Sequence, residues 1–223
     1  MDATGMSAEQ WLASGLSDPR VERSEFDNTI LVVNTSESNA TKMKFSSVDL
    51  SLIYNFEIGS LGDFNAKLDA SYLEDYSYQL LPISPEVQGV GRQNAGTGAV
   101  QPLPRWKSNL GLNWNQGIHA ASVQVHYTHD VRYDSPLAGL APFYGKSQYV
   151  PTWLKESAQV DAQYRIDLSD ILGSLPQNET QLILGVADLF NEMAPAIYDF
   201  PGYDNRLYNA IGRRFYARLS VEL

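Results

Sequence analysis

The hydrophobic and polar positions of this chain alternate over long stretches, and the last stretch shows the pattern most clearly. Its apolar side chains occupy every second position, and Tyr, Arg, Ser and Glu stand between them. An alternation of period two predicts a β-strand with one apolar and one polar face. The apolar face of this final strand consists of Phe215, Ala217, Leu219, Val221 and Leu223.

The same alternation predicts six earlier strands. They are expected at about residues 44–56, 64–72, 106–114, 121–127, 158–166 and 181–189. A β-branched run at 30–33 predicts one more short strand. Residues 1–25 are polar and mixed, and we expect a loop there that includes a short helix, because Ser7 and Gln10 have the spacing of a capping box.

The predicted connections differ in length, and the one at 168–177 is intermediate. Residues 57–62 and 115–117 are tight turns, whereas 79–104, 131–152 and 191–209 are long and irregular. Short and long connections alternate along the chain, which is typical of an antiparallel up-and-down sheet with one plain end and one elaborated end. We therefore expect an all-β protein.

Three of the apolar faces have the same length, and this length bears on their surroundings. Residues 64–72, 106–114 and 215–223 each span nine positions, and most of their ends are aromatic. A membrane-spanning β-strand needs about 9–11 residues, with aromatic girdles at both interfaces. The pattern favours a transmembrane barrel. A soluble antiparallel sandwich also alternates and remains an alternative on the pattern alone.

Composition narrows the function classes. A formal charge of −10 argues against a nucleic-acid partner, and the lack of cysteine excludes disulfides and thiolate metal sites. No apolar run approaches the roughly 18–20 residues of a membrane helix. The first residues lack the basic and apolar regions of a signal peptide. Since exported proteins usually carry one, we expect either a cytosolic protein or a fragment.

Motifs for catalysis or cofactor binding are not found. The Gly-rich run at 89–98 lacks the following helix and the Lys-Ser/Thr ending of a phosphate loop. His126 and His129 would lie on opposite faces of a strand, so they do not form a metal pair. Two acidic pairs, Glu74 with Asp75 and Asp199 with Asp204, have the chemistry to bind a loop cation, but they are interpreted as solvated acids. We predict that the chain is not an enzyme and uses no cofactor or metal.

The last third of the chain holds a more specific combination of residues. It reads Gly-Val-Ala-Asp-Leu-Phe-Asn-Glu at 185–192, then Pro195, Gly-Tyr-Asp at 202–204 and Gly-Arg-Arg-Phe-Tyr at 212–216. This combination resembles the end of a TonB-dependent outer-membrane receptor. Two positions depart from the family pattern, since Asp188 stands where Asn is usual and the chain ends on Leu223 rather than on an aromatic residue.

The resemblance implies a fold and a role for the whole chain. Residues 1–223 would be the C-terminal part of the receptor barrel, about seven or eight of its 22 antiparallel strands, with long extracellular loops and short periplasmic turns. The plug domain and the TonB box would be absent. The implied function is TonB-energised uptake of a scarce nutrient, such as a siderophore or a carbohydrate, across the outer membrane of a Gram-negative bacterium. The implied partners are outer-membrane lipid, the remaining barrel and plug, TonB through the absent N-terminal part, and a small-molecule or oligosaccharide ligand.

The long loops carry aromatic residues that we expect to be exposed, and these are the ligand-contact candidates. Their ring faces can stack on sugars or on the aromatic groups of a siderophore, although the same rings can also pack the loops together or form the outer girdle. The candidates are Tyr76, Tyr78, Tyr133, Phe143, Tyr144, Tyr149, Trp153, Tyr198 and Tyr203.

Two other functions stay open from the sequence. One is a small passive porin-like barrel of eight strands, in which the first strand closes on the last. The other is a soluble β-rich carbohydrate-binding module. Detergent dependence separates the soluble module from both barrels.

Overall fold

A computed structural model describes residues 21–27, 29–33, 42–80, 85–97, 100–169, 180–199 and 201–221 of the chain. The helix expected near Ser7 and the terminal Leu223 lie outside this described part. Within the stretch expected to be a loop, Val21–Arg23 instead forms a strand, which pairs with Ile30–Val33. The strand predicted at 30–33 is therefore confirmed, and its partner explains why both segments are extended.

Every pairing between the described strands is antiparallel, which confirms the all-β expectation. The strands are β1 (Val21–Arg23), β2 (Ile30–Val33), β3 (Lys42–Glu57), β4 (Asp63–Gln79), β5 (Val87–Gln88), β6 (Trp106–Gln116), β7 (His119–Thr128), β8 (Val131–Arg132), β9 (Trp153–Leu154), β10 (Ser157–Asp167), β11 (Thr180–Ala187) and β12 (Arg214–Val221). Short 3-10 helices occupy Gly59–Leu61, Pro136–Tyr144 and Ser147–Tyr149.

The main sheet is an up-and-down meander. Its strand order is β12-β11-β10-β7-β6-β4-β3, with β5 paired to the side of β4, while β1-β2 and β8-β9 form two small sheets. The seven predicted long strands are all present, and each pairs with the strand expected from the chain order. Among the described residues, β3 and β12 lie at opposite edges and do not pair with each other, so the sheet stays open.

One face of the main sheet is apolar and uncovered. The strand register sets one residue from each of the seven strands in a single row: Tyr54, Ala66, Leu112, Val123, Ala162, Val186 and Phe215. Leu112, on the interior strand β6, is still 41% exposed, and Phe215 at the edge is 77% exposed. No described segment packs over this row, so the face requires an apolar environment from elsewhere.

The opposite face carries polar side chains that bond across the strands. Asn65 donates to Asn55 at 2.6 Å, and Asn113 donates to Asn65 at 3.2 Å, which forms an amide ladder over three strands. Ser51 donates to Asp69 at 2.7 Å on the same face. These paired groups suit contact with water or with a polar partner.

The buried core lies among the loops rather than on the sheet. Val131 and Leu154 are fully buried, and they pack with Tyr133 and Ile197. The three long connections thus fold against one another at the end of the sheet opposite the short turns. At the short-turn end, the Trp114 indole donates to the Leu61 carbonyl at 2.5 Å and ties the two turns together. The predicted contrast between a plain and an elaborated end is confirmed.

Candidate functional site

The three long loops make a single folded body through their backbones. Gln93 N–H donates to the Arg132 carbonyl at 3.0 Å, and Arg132 N–H donates to the Gly91 carbonyl at 2.8 Å. Tyr198 N–H donates to the Tyr149 carbonyl at 2.9 Å and brings in the third loop. These bonds fix the positions of the side chains that the loops carry.

A buried polar link joins the first and third loops. Gln93 and Asp204 are only 2% and 3% exposed, and the Gln93 Nε2 donates to Asp204 Oδ2 at 2.8 Å. The Arg206 guanidinium pairs with the same carboxylate through both oxygens, at 2.6 and 3.1 Å. The interpretation of Asp204 as a solvated acid was wrong, because Gln93 and Arg206 provide the partners that allow its charge to be buried.

The pKa of Asp204 reflects a balance between two effects. Burial by itself raises the pKa of this carboxyl, because it disfavours the charged form. The hydrogen bonds from Arg206 and Gln93 favour the charged form more strongly, so the pKa lies below its ordinary value. Asp204 is therefore an anion at neutral pH.

The second loop contributes Ser135 as a further polar residue of the site. Ser135 donates its hydroxyl to Asp199 Oδ1 at 2.5 Å. The Tyr133 hydroxyl is buried without a hydrogen-bond partner in the described structure. Burial, together with the nearby Asp199 charge, raises the pKa of Tyr133 to about 12.

These groups surround an open cavity of about 350 Å³ between the three loops. Gln93 and Thr97 from the first loop, Ser135 from the second, and Tyr203 and Arg206 from the third form part of its wall. The cavity contains hydrogen-bond donors and acceptors as well as one aromatic ring. A cavity of this size lies within the roughly 300–1,000 Å³ range of small-molecule pockets.

A second cavity, of about 330 Å³, lies on the polar face of the sheet near the short turns. Arg165, Gln163, Gln181 and Asn113 line it. It opens toward the polar side of the sheet and holds no buried unpaired side chain, so its geometry indicates no ligand.

The predicted ligand-contact aromatics divide into three groups. Tyr78 and Tyr133 are buried, so the expectation that the loop aromatics are exposed is wrong for these two. Phe143, Tyr144, Tyr149 and Trp153 are exposed on short elements outside the loop cavity. Tyr76, Tyr198 and Tyr203 are half-buried, and of the nine candidates Tyr203 alone lines the cavity.

Tyr76 and Tyr78 were expected near a loop but lie within β4. The register shifts between Ser46 and Ser47, which leaves Glu74 as an extra residue in a β-bulge. Beyond the bulge Tyr76 and Tyr78 pair with Phe45 and Met43, so their rings point to the polar side of the sheet. The bulge thus extends the strand while reversing the side on which its aromatic residues lie.

The described residues contain no group of three or more His, Cys, Asp or Glu side chains that is able to hold a metal ion. His126 instead bonds to Asn109 at 2.7 Å on the polar face. No helix in the described ranges is long and apolar enough to cross a membrane.

No family model, curated protein or solved structure matches this chain. Of the cavity residues, sequence reasoning identified Tyr203 as a ligand-contact candidate but did not identify Gln93 or Arg206. The Asp-Asn-Arg run at 204–206 holds a local signal, since a carboxylate two residues before a guanidinium can form a turn-closing pair.

Proposed function

We propose that the seven long strands form part of the wall of a transmembrane β-barrel in a bacterial outer membrane. The uncovered apolar row that crosses all seven strands supports this most directly. A soluble sheet would cover such a row with a second layer. Lipid tails supply the same apolar contact without a second protein layer.

The dimensions of the apolar face support a membrane location. Its rows run from Tyr72 and Trp106 at one end to Phe64 and Trp114 at the other, eight residue steps apart. At about 3.3 Å per residue and a tilt of roughly 40°, these rows span about 20 Å, close to the apolar band of outer-membrane barrels. Aromatic residues at both ends fit the two interfacial girdles: Tyr72 and Trp106 pack at 4.6 Å, and Phe56 and Phe64 at 5.1 Å.

The open edges favour a larger barrel over a small closed one. The outer edges of β3 and β12 have no strand partner in the described structure. Each unpaired backbone group costs several kcal/mol in a bilayer, so further strands are needed on both sides. The proposed assembly is the 22-stranded barrel of a TonB-dependent receptor. We expect residues 1–223 alone not to transport substrate.

The loop end supports a receptor role for this barrel. Three long loops form one body around a polar cavity, whereas a passive pore needs no such body. In the proposed function the loops capture a scarce nutrient, and a plug domain that TonB acts on admits it.

Single-cysteine labelling tests the lipid-facing assignment, since the chain has no native cysteine. Cysteines at Leu110 and Leu112, and at Asn109 and Asn113 as matched neighbours on β6, would carry an environment-sensitive fluorophore. The full chain would be placed in micelles that contain spin-labelled acyl chains. We expect strong quenching at the two Leu positions and weak quenching at the two Asn positions.

Equal quenching at all four positions would overturn the assignment. A monodisperse chain in detergent-free buffer would do so as well, and would favour the soluble carbohydrate-binding module. Both measurements use the same purified protein.

A further inference from the structure

We propose that the cavity between the three long loops binds a neutral carbohydrate, with one sugar ring against Tyr203. This inference names the ligand class of the proposed receptor and depends on that proposal for its biological setting. The binding itself is a property of the loop body.

The cavity has a built polar wall rather than a chance surface depression. Asp204 is 97% buried and held by both Arg206 and Gln93, so its position is fixed before any ligand arrives. The cavity volume of about 350 Å³ equals that of about twelve liquid waters, which is enough room for a sugar ring. A fixed wall reduces the ordering cost of binding.

Gln93 also carries an unpaired acceptor that is buried within the wall. The Gln93 amide cannot turn over, because Nε2 donates to Asp204 and a reversed amide would place oxygen against the carboxylate. Its Oε1 is therefore left buried without a donor in the described structure. A buried acceptor of this kind costs about 1–3 kcal/mol while unpaired.

The charge of the cavity selects against anionic ligands. Asp199 and Asp204 contribute two carboxylates and Arg206 one guanidinium, which leaves one excess negative charge at neutral pH. One oxygen of Asp199 accepts from the Ser135 hydroxyl at 2.5 Å. A carboxylate or phosphate group would be repelled, whereas a hydroxyl group can both donate to Asp199 and accept from Arg206.

The single aromatic ring in the cavity wall selects for a ligand that has a flat apolar face. Tyr203 is half-buried, and it is the one predicted ligand-contact residue that lines the cavity. An aromatic face packs well on the C–H face of a sugar ring, while the surrounding polar groups bond to its hydroxyls. Arg206 lines the same space, which disfavours a simple ammonium ligand. These features together favour a neutral sugar.

The test compares sugars that differ only in charge. The full chain would be purified in a zwitterionic detergent, since glycoside detergents carry a sugar themselves. Methyl glycosides of glucose, galactose and mannose, and the corresponding uronic acids, would be titrated and followed by saturation-transfer NMR. We expect at least one neutral glycoside to bind saturably and its uronic acid to bind at least fivefold more weakly.

Two matched substitutions locate the binding. Tyr203→Leu is expected to weaken the sugar at least tenfold, while Tyr203→Phe keeps it within twofold because the ring remains. Tyr144→Leu is the control, since Tyr144 is 68% exposed outside the cavity. It should leave the affinity within twofold of the wild type.

Three results would overturn the inference: no saturable binding of any neutral glycoside, tighter binding of the uronic acids, or equal effects of Tyr203→Leu and Tyr144→Leu. The quenching experiment on β6 runs on the same samples. If the Leu positions are quenched more than the Asn positions but no sugar binds, the carbohydrate inference fails and the membrane proposal stands. If a sugar binds but quenching is equal at all four positions, the membrane proposal fails and the carbohydrate inference stands.

Discussion

The side-chain amide of Gln93 donates a 2.8 Å hydrogen bond to Asp204, across 111 residues of sequence. Both groups are buried, and the bond joins the first long loop to the third. Asp204 also holds Arg206 on its own loop. The carboxylate is thus a shared partner through which two loops keep one geometry.

Replacing this carboxylate should loosen the loop body. Asp204→Asn removes the charge that both donors use, and hydrogen bonds to charged groups contribute about 1.5–3 kcal/mol. We expect local protection against hydrogen exchange to fall by about 2 kcal/mol in segments 91–95 and 203–208. The isosteric control is Asp63→Asn, at an exposed strand end, which should leave both segments unchanged. Equal protection in the two variants would contradict the shared-partner role.

The same carboxylate predicts how the loops respond to acid. The folded-state pKa of Asp204 lies below its ordinary value, so its stabilisation is complete above the unfolded-state pKa of about 3.9. That stabilisation is lost as the pH falls through the lower folded-state value. Hydrogen exchange between pH 6 and 3, corrected for intrinsic rates, should show loop opening below about pH 4. Asp204→Asn should lack this step, and its persistence in the variant would assign it to another acid.

The raised pKa of Tyr133 predicts that the free energy of unfolding changes at alkaline pH. Its buried hydroxyl has no partner, so Tyr133→Phe should keep or raise the free energy of unfolding by up to about 1 kcal/mol at neutral pH. Since its folded-state pKa is raised to about 12, the effect of Tyr133 on the free energy of unfolding is constant below about pH 10, and that free energy falls as the pH rises from about 10 through about 12.

Urea titrations at pH 8, 10 and 11 check the Tyr133 prediction. The wild type should lose more stability on alkalinisation than Tyr133→Phe. Part of the loss should remain in the variant, because burial also raises the pKa of Tyr208. Tyr144→Phe, at an exposed position, serves as the control and should follow the wild type. An identical alkaline loss in all three proteins would rule out Tyr133 as a source.

A close fit between two strands gives a prediction for the sheet. Tyr216 lies across Gly185 on the polar face, and its hydroxyl donates to Gln163 at 3.2 Å on the next strand. A Cβ at Gly185 would overlap the Tyr216 ring. Gly185→Ala should therefore cost about 1–3 kcal/mol, measured by denaturant titration in micelles.

The loss of stability caused by Gly185→Ala should depend on the presence of the Tyr216 ring. In the background of Tyr216→Ala, Gly185→Ala should be close to neutral, since the obstructing atoms are gone. Gly96→Ala is the positional control, because a Cβ there meets no atom within 4 Å. An equal cost of Gly185→Ala with and without Tyr216 would assign the effect to the backbone instead.

The strands were predictable because their signal is local. Leu110 and Leu112 alternate with Asn109 and Asn113 within one short window, and such a period-two pattern requires no knowledge of the partner strand. The end of β4 was harder to predict, because the bulge at Glu74 inserts one residue and shifts the alternation of apolar and polar positions by one. The sequence near Tyr76 and Tyr78 therefore resembles a loop although it is a strand.

The loop site was much less predictable. Tyr203 was identified from its residue type and position in a long connection. Gln93 was not, since a Gln in a Gly-rich loop has no local feature that marks it as buried. Its partner lies 111 residues away, and only the fold brings the two together. Asp204 was assigned to solvent for the same reason.

The apolar row also predicts what a charge introduced near the centre of β6 does to stability. Leu112 lies on the proposed lipid face, and its chain neighbour Asn113 lies on the polar face. An Arg near the middle of the lipid face costs about 2–4 kcal/mol, whereas an Arg on the polar face remains solvated. Leu112→Arg should thus lower the free energy of unfolding in lipid bilayers by about 2–4 kcal/mol, and Asn113→Arg by less than about 1 kcal/mol. Denaturant titration in bilayers measures both. Since a soluble sheet with an uncovered face would accept the two charges equally, equal costs would contradict lipid contact at Leu112.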